Sequence, residues 1–229
     1  MRPVQLIPIK LKLSNAYLLI GHNGVVLVDS GMASDVEAIE DALLAQNLSG
    51  ADIKLILHTH GHSDHVGGTA TLVKRYQCTT ALGAADLKQV LAGKNDKLTP
   101  TRLMGKWLIP FVDKPFTPFT PDWLLQESTS LASFGVDADV LFTPGHTPGS
   151  LSILLADGRA VVGDVLMGGY MGGQFFPHLP DYHYFADDLT QIHTSIKKLV
   201  SAGVNTWYPG HGGPLTTKAV LKRFAKVLV

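Results

Sequence analysis

The chain has 229 residues, 45% of them hydrophobic, and balances 19 Lys and Arg against 19 Asp and Glu for a formal net charge of zero. That length holds one sizeable core or two closely joined halves, not several independent domains, so residues 1–229 read as one domain. The balanced charge gives no general attraction for a nucleic acid. The single Cys78 excludes an intramolecular disulfide, and no run reaches the roughly 20 apolar residues of a membrane span.

Met1 to Leu13 alternates apolar residues with Pro and Lys and lacks the apolar core of a signal peptide, so a cytoplasmic location is expected. Asn15 to Ile20 and Val25 to Val28 are short apolar runs around Gly21-His22-Asn23-Gly24, which reads as a hairpin with His22 at its solvated tip. Ser34 with Glu37 three residues on has the form of a capping box, and Val36, Ile39, Ala42 and Leu43 follow at helical spacing, predicting a helix from Ser34 to about Gln46. Ile53 to Leu57 reads as a buried strand, Thr69 to Tyr76 as a helix and Thr79 to Leu82 as another strand. From about residue 93 to 125 the prolines Pro100, Pro110, Pro115, Pro118 and Pro121 alternate with large aromatic residues. Such a stretch argues against long helices and central strands and reads as a surface excursion or lid. Val140 to Thr143, Ser152 to Leu155 and Ala160 to Val162 follow as strands. Gly163 to Pro180 is glycine-rich and loop-like. Asp187 or Asp188 caps a helix carrying Leu189, Ile192, Ile196 and Leu199, Val204 to Tyr208 is a last strand, and Thr216 or Thr217 opens a C-terminal helix. Strands in both halves with helices between them make an α/β chain without an obvious linker.

The chemistry concentrates in His58-Thr59-His60-Gly61-His62-Ser63-Asp64-His65, directly after a buried strand. In an extended or tightly turned segment alternate side chains share a face, so His60 and His62 can converge on one ion. Asp64 and His65 follow where the chain turns towards a helix and can face a second. Imidazole nitrogens and carboxylate oxygens suit zinc, and also iron or manganese. Two further histidines sit at strand ends beside Pro-Gly turns, His146 in Thr143-Pro144-Gly145-His146 and His211 in Pro209-Gly210-His211. Asp164 follows the strand Ala160-Val161-Val162-Gly163, where glycine permits close approach to a compact group such as a metal pair. His178, His183 and His193 read as surface or helix-face residues, the first two set apart by lying in the loop beyond Asp164.

In the order of these motifs, from about Val25 to His211, the chain resembles the metallo-β-lactamase fold superfamily. The resemblance implies a four-layer αβ/βα sandwich, two mixed sheets face to face with helices outside and the metals at one edge. It implies that His60, His62 and His146 bind a first divalent ion, that Asp64, His65 and His211 bind a second, and that Asp164 bridges them; Zn2+ leads, with Fe or Mn as alternatives. Asp29, in Val28-Asp29-Ser30-Gly31, either hydrogen-bonds a ligand histidine or simply turns the chain into the next helix. His58 is read as a supporting or packing residue.

The implied activity is hydrolysis of an ester, lactone or thioester of a small molecule. Water activated between the two ions attacks the carbonyl, and Asp64 carries the proton. Asp164, where many true β-lactamases have Cys, and His65 after Asp64 turn the resemblance towards the thioesterase, lactonase and glyoxalase-II-like branches. Only about 18 residues follow His211, too few for the C-terminal helical domain of a full glyoxalase II. Two clusters, Trp107, Phe111, Phe116, Phe119 and Trp123, and Tyr170, Phe175, Phe176, Tyr182 and Tyr184, either wall an apolar pocket or pack over the sheet edge. The alternatives are a mononuclear-iron persulfide dioxygenase using His60, His146 and Asp164, and a phosphodiesterase or ribonuclease, against which the zero net charge argues.

Overall fold

Continuous apolar runs and alternating ones fold here as two mixed sheets in a computed structural model that describes residues 3–228. Met1 and Arg2, at the start of the stretch read for a signal peptide, and Val229, the end of the 1–229 span, lie outside the described residues. The first sheet runs in sequence order: β1 (Gln5–Lys10), β2 (Asn15–Ile20), β3 (Val25–Val28), β4 (Ile53–Leu57), β5 (Thr79–Gly83) and β6 (Trp123–Leu125). Its first three strands are antiparallel, and β3 to β6 are parallel. Between them lie α1 (Val36–Leu44), α2 (Ser63–Val66), α3 (Thr69–Tyr76), α4 (Leu87–Ala92) and α5 (Leu103–Val112). The second half comprises β7 (Thr129–Ser130), β8 (Ala138–Phe142), β9 (Leu151–Leu155), β10 (Arg159–Gly163), β11 (Met167–Tyr170), β12 (Phe175–Asp181), α6 (Leu189–Ser201), β13 (Thr206–Pro209), β14 (Leu215–Thr216) and α7 (Thr217–Leu228). Its sheet has the order β14-β13-β10-β9-β8-β7, with β10 and β13 parallel, while β11 and β12 pair separately.

Period-two alternation decides the layers. Tyr17, Leu19, Val26, Val28, Leu55 and Leu57 face Val140, Leu151, Ile153 and Val161 of the other sheet and form the central core. The opposite faces of β2 and β3 take Val36, Ile39, Leu43 and Leu72 from α1 and α3. Ala160, Val162 and Trp207 take Ile192, Ile196, Leu199, Val220 and Phe224 from α6 and α7. Helix, sheet, sheet, helix is the four-layer α/β order expected from the sequence.

Local expectations fare unevenly. Asp188 caps α6, accepting from the backbone N–H groups of Thr190 at 2.7 Å and Gln191 at 3.0 Å. The start of α1 differs: Ser34 lies in a short 3-10 turn, and Asp35, not Glu37, reaches back to accept from Met32 N at 2.9 Å. The 93–125 segment does form a helix, the ten-residue α5. Pro110 falls near its C-terminal end, so its missing N–H and ring clash shorten the helix rather than abolish it. The same segment ends as the edge strand β6, parallel to β5. Gly163 to Pro180 is not a loop but contains the β11–β12 hairpin. Among the described residues no helix is long and apolar enough to cross a membrane.

Candidate metal centre

Strand ends deliver every residue of the motif to one edge of the sandwich. β4 stops at Leu57, the chain bends at Thr59 and His60 and is extended at His62, and α2 then lifts Asp64 and His65 in its first turn. His146 comes from the β8–β9 connection, Asp164 from the end of β10 and His211 from the end of β13. Two of these loops are tied together by Asp86, which precedes α4 and has no counterpart in the sequence expectations. Its carboxylate accepts from Gly61 N at 2.8 Å, Thr147 Oγ1 at 2.7 Å and Gly149 N at 2.9 Å. Burial pushes the Asp86 carboxyl up, with Thr147, Gly61 and Gly149 pulling against that shift.

All seven predicted residues meet. His62 Nδ1 lies 2.9 Å from His146 Nε2. Asp164 Oδ2 lies 3.8 Å from His60 Nε2, 3.6 Å from His65 Nε2, 3.4 Å from His146 Nε2 and 3.3 Å from His211 Nε2. Asp64 Oδ2 is 3.5 Å from His211 Nε2 and 3.8 Å from His65 Nε2. Most of these spacings are too long for hydrogen bonds. Two donors bonded at about 2.1 Å to one tetrahedral ion stand about 3.4 Å apart, which is the spacing seen. The donor atoms group as His60-His62-His146, as Asp64-His65-His211, and around Asp164 between them. His60 Nε2, His65 Nε2, His211 Nε2 and Asp164 Oδ1 are buried without a hydrogen-bond partner, a costly arrangement for a protein alone and the natural one for metal ligands. The residues therefore fit a divalent metal. His58 Nδ1, the other buried unpartnered atom among the described side chains, sits 3.8 Å from Asp29 Oδ1.

The far ring nitrogens are held in place. His60 Nδ1 meets Thr59 Oγ1 at 3.0 Å, His146 Nδ1 meets the Phe185 carbonyl at 2.9 Å and His211 Nδ1 meets the Leu13 carbonyl at 2.8 Å. Asp29 Oδ2 holds His65 Nδ1 at 2.8 Å, and the same carboxylate accepts from Thr59 N at 2.8 Å and Thr59 Oγ1 at 2.7 Å. Of the two readings of Asp29, contact with the metal-facing histidine is the one observed. His58 is fully buried, 3.0 Å from Thr69 Oγ1 and packed on Phe119.

Burial pushes His62 and His146 down to about 3 and His60 well below the ordinary value, so all three are neutral imidazoles with a lone pair to offer. Burial also opposes charge on His65 and His211, but there the carboxylates win. Asp29, Asp64 and Asp164 raise His65 strongly, and Asp164 with Asp64 raises His211. Asp164 is held well below the usual carboxylate range against its burial by His211, His183 and His65.

Glycine contributes at two points, one of them unforeseen. A Cβ on Gly163 would meet Thr59 at 2.7 Å, so the close approach there is to the histidine loop rather than to the metal pair. At Gly210 a Cβ would lie 2.2 Å from Asp164 Oδ1 and 2.7 Å from the His65 ring; that glycine is the one that makes room for the centre.

A cavity of about 310 Å3 opens above the donors, reached by Asp64, His62 and His211. Of the ten aromatic residues considered as its wall, Phe111 and Tyr184 line it; Leu98, Leu108, Val112 and Met167 supply much of the rest. Phe116 and Phe119 pack instead on Val66, Leu82 and Val90, Trp123 joins the central core, and Tyr182 packs on Phe224. Trp107, Phe175 and Phe176 are exposed. The 93–125 segment is tied down as a wall: Ser63 N donates to Asn95 Oδ1 at 2.8 Å and Ser63 Oγ to the Val112 carbonyl at 3.2 Å. His178 is exposed and His193 bonds the Tyr182 hydroxyl, in line with the sequence reading. His183 is neither on the surface nor on a helix face: its side chain is 10% exposed and lies against Asp164.

Comparison with known proteins gives the family and the fold. A family model described as the metallo-beta-lactamase superfamily matches residues 9–211. A probable metallo-hydrolase of Methanocaldococcus jannaschii is 29% identical over 203 residues, 87% of each chain. Hydroxyacylglutathione hydrolase GloC of Haemophilus influenzae is 28% identical over 179 residues, 76% of each chain. Among solved structures, a metallo-beta-lactamase family protein of Thermus thermophilus superposes with a TM-score of 0.69 at 23% identity, covering 100% of this chain and 79% of the other, a likeness of fold.

Proposed function

The chain belongs to the metallo-beta-lactamase superfamily and is a hydrolase, and on that premise we propose that it cleaves an ester, lactone or thioester bond of a small molecule with an apolar acyl part. The supporting observation is the convergence of two donor triads on Asp164 at the floor of an apolar cavity. His60, His62 and His146 would hold one divalent ion and Asp64, His65 and His211 the other, with Asp164 between them and zinc the leading metal. Such ions supply Lewis acidity, lowering the pKa of a water towards neutrality and polarising the scissile carbonyl. Asp64, 14% exposed and facing the cavity, accepts the water proton and passes it on. Asp29 and the Phe185 and Leu13 carbonyls keep the rings aimed, and Leu98, Leu108 and Val112 exclude bulk water from the acyl chain. The likeness to an enzyme named for hydroxyacylglutathione supports thioesters among the substrates.

The test is a panel of p-nitrophenyl esters, lactones and acyl thioesters on metal-quantified protein. Turnover is expected on at least one class, with His62→Ala and Asp164→Ala losing metal and turnover together. Retention of both in either variant would sink the assignment, and one iron per chain with oxygen uptake would favour the dioxygenase instead.

A further inference from the structure

We propose that His183 is a further metal ligand, completing the shell on the side shared by His146 and Asp164, a role that rests on the metal-site reading above. Its Nε2 lies 3.4 Å from Asp164 Oδ2, the same separation as that of His146 Nε2. That is too long for a hydrogen bond and close to the roughly 3.4 Å that separates two donors on a common ion. The donor atoms of His146, Asp164 and His183 all lie within 4.8 Å of one another.

His183 is oriented by the device that orients His146. Its Nδ1 stands 3.2 Å from the Phe185 carbonyl, which also receives His146 Nδ1 at 2.9 Å. A carbonyl oxygen has two lone pairs and accepts both N–H groups. With Nδ1 protonated, Nε2 carries the lone pair, and that nitrogen is the one aimed at Asp164. In the other tautomer Phe185 N is placed to donate to His183 Nδ1, at 3.3 Å; ligation through Nε2 selects the form in which Nδ1 donates to the carbonyl.

The ring is wedged between residues of both donor triads, edge-on to His146 at 4.7 Å between centroids and stacked on His211 at 5.0 Å. Its backbone is strapped to the segment before α5: Thr101 Oγ1 donates to the His183 carbonyl at 2.6 Å, and Thr101 N to the Tyr184 carbonyl at 2.9 Å. The donor is thus presented before any ion arrives. A neutral imidazole added there raises affinity without altering the charge of the site, and it fills a position that water would otherwise take.

The experiment uses the full chain loaded with Co2+ or Zn2+, read by metal stoichiometry, by competition against a chromophoric chelator and by the Co2+ ligand-field spectrum. His183→Ala is expected to weaken binding of one ion by at least about tenfold and to change the Co2+ spectrum, with added imidazole restoring it. His183→Gln, closer in volume, guards against a folding defect and should show the same loss with an unchanged far-ultraviolet dichroism. Wild-type affinity and an unchanged Co2+ spectrum in the folded Gln variant would overturn the proposal, even if turnover fell, because His183 would then serve the substrate rather than the metal. A wild-type chain that binds no divalent ion would overturn the underlying metal reading instead.

Discussion

Asp29 takes a left-handed backbone conformation, φ 62°, while almost fully buried. Asp and Asn tolerate that region better than other side chains, which makes Asp29→Asn a test of the carboxylate alone. In the wild type the two oxygens receive Thr59 N, Thr59 Oγ1 and His65 Nδ1. An amide must turn an NH2 towards one of those donors. If it faces His65, the ring is released or changes tautomer and no longer offers Nε2 to the centre. Asp29→Asn is therefore expected to lower metal affinity by about 10–100-fold with the fold retained, measured by chelator competition. An unchanged affinity would show that packing alone orients His65. At this scale the sequence is readable where a residue type coincides with a turn signal: His60 to His65 after a strand, His146 and His211 beside Pro-Gly, Asp164 at a strand end. His183 has no such signal. The strapping of its segment onto Thr99, Thr101 and His146 brings it against Asp164.

Loops that carry metal-facing residues must be fixed to one another, and Asp86 does this between the α2 loop and the β8–β9 loop. Asp86→Ala would leave Gly61 N, Gly149 N and the Thr147 hydroxyl without their partner in a buried place. The expected cost is about 2–4 kcal/mol in urea unfolding, together with weaker binding at the His60-His62-His146 group. Full stability in that variant would mean that water replaces the carboxylate. Elements were legible wherever period or capping was undisturbed, as in β4, α3 and α6. Three were hidden by proline and glycine. β1 contains Pro8, tolerated because the strand is the edge of its sheet. β12 contains Pro177 and Pro180 in a two-stranded pair, where each strand keeps a free edge. α5 accommodates Pro110 only because the helix is about to end. In the two strands edge placement spares the ladder, whereas α5 forgoes the bond from residue 110 to the Lys106 carbonyl two residues before it ends.

Across the whole molecule the two sheets make unequal contributions to one centre. The first supplies His60, His62, Asp64 and His65 through the chain after β4, and the second supplies His146, Asp164 and His211. Any ion held by donors from both is a cross-link between the sheets, absent from the unfolded chain. The core between the sheets is large and apolar and does not depend on the centre, so the metal-free protein should remain folded but melt earlier. A ligand bound only by the native state stabilises by RT ln(1 + [L]/Kd), about 2.7 kcal/mol at a free concentration a hundredfold above Kd. For a domain of this size that corresponds to about 5–11 °C in Tm. Thermal scans should therefore show a fall of this order on exhaustive chelation and recovery on adding one divalent metal back, with the gain rising with the logarithm of free metal. A Tm indifferent to chelation would mean that the ions, if bound, are not held jointly by the two sheets, and would separate the histidine cluster from the stability of the sandwich.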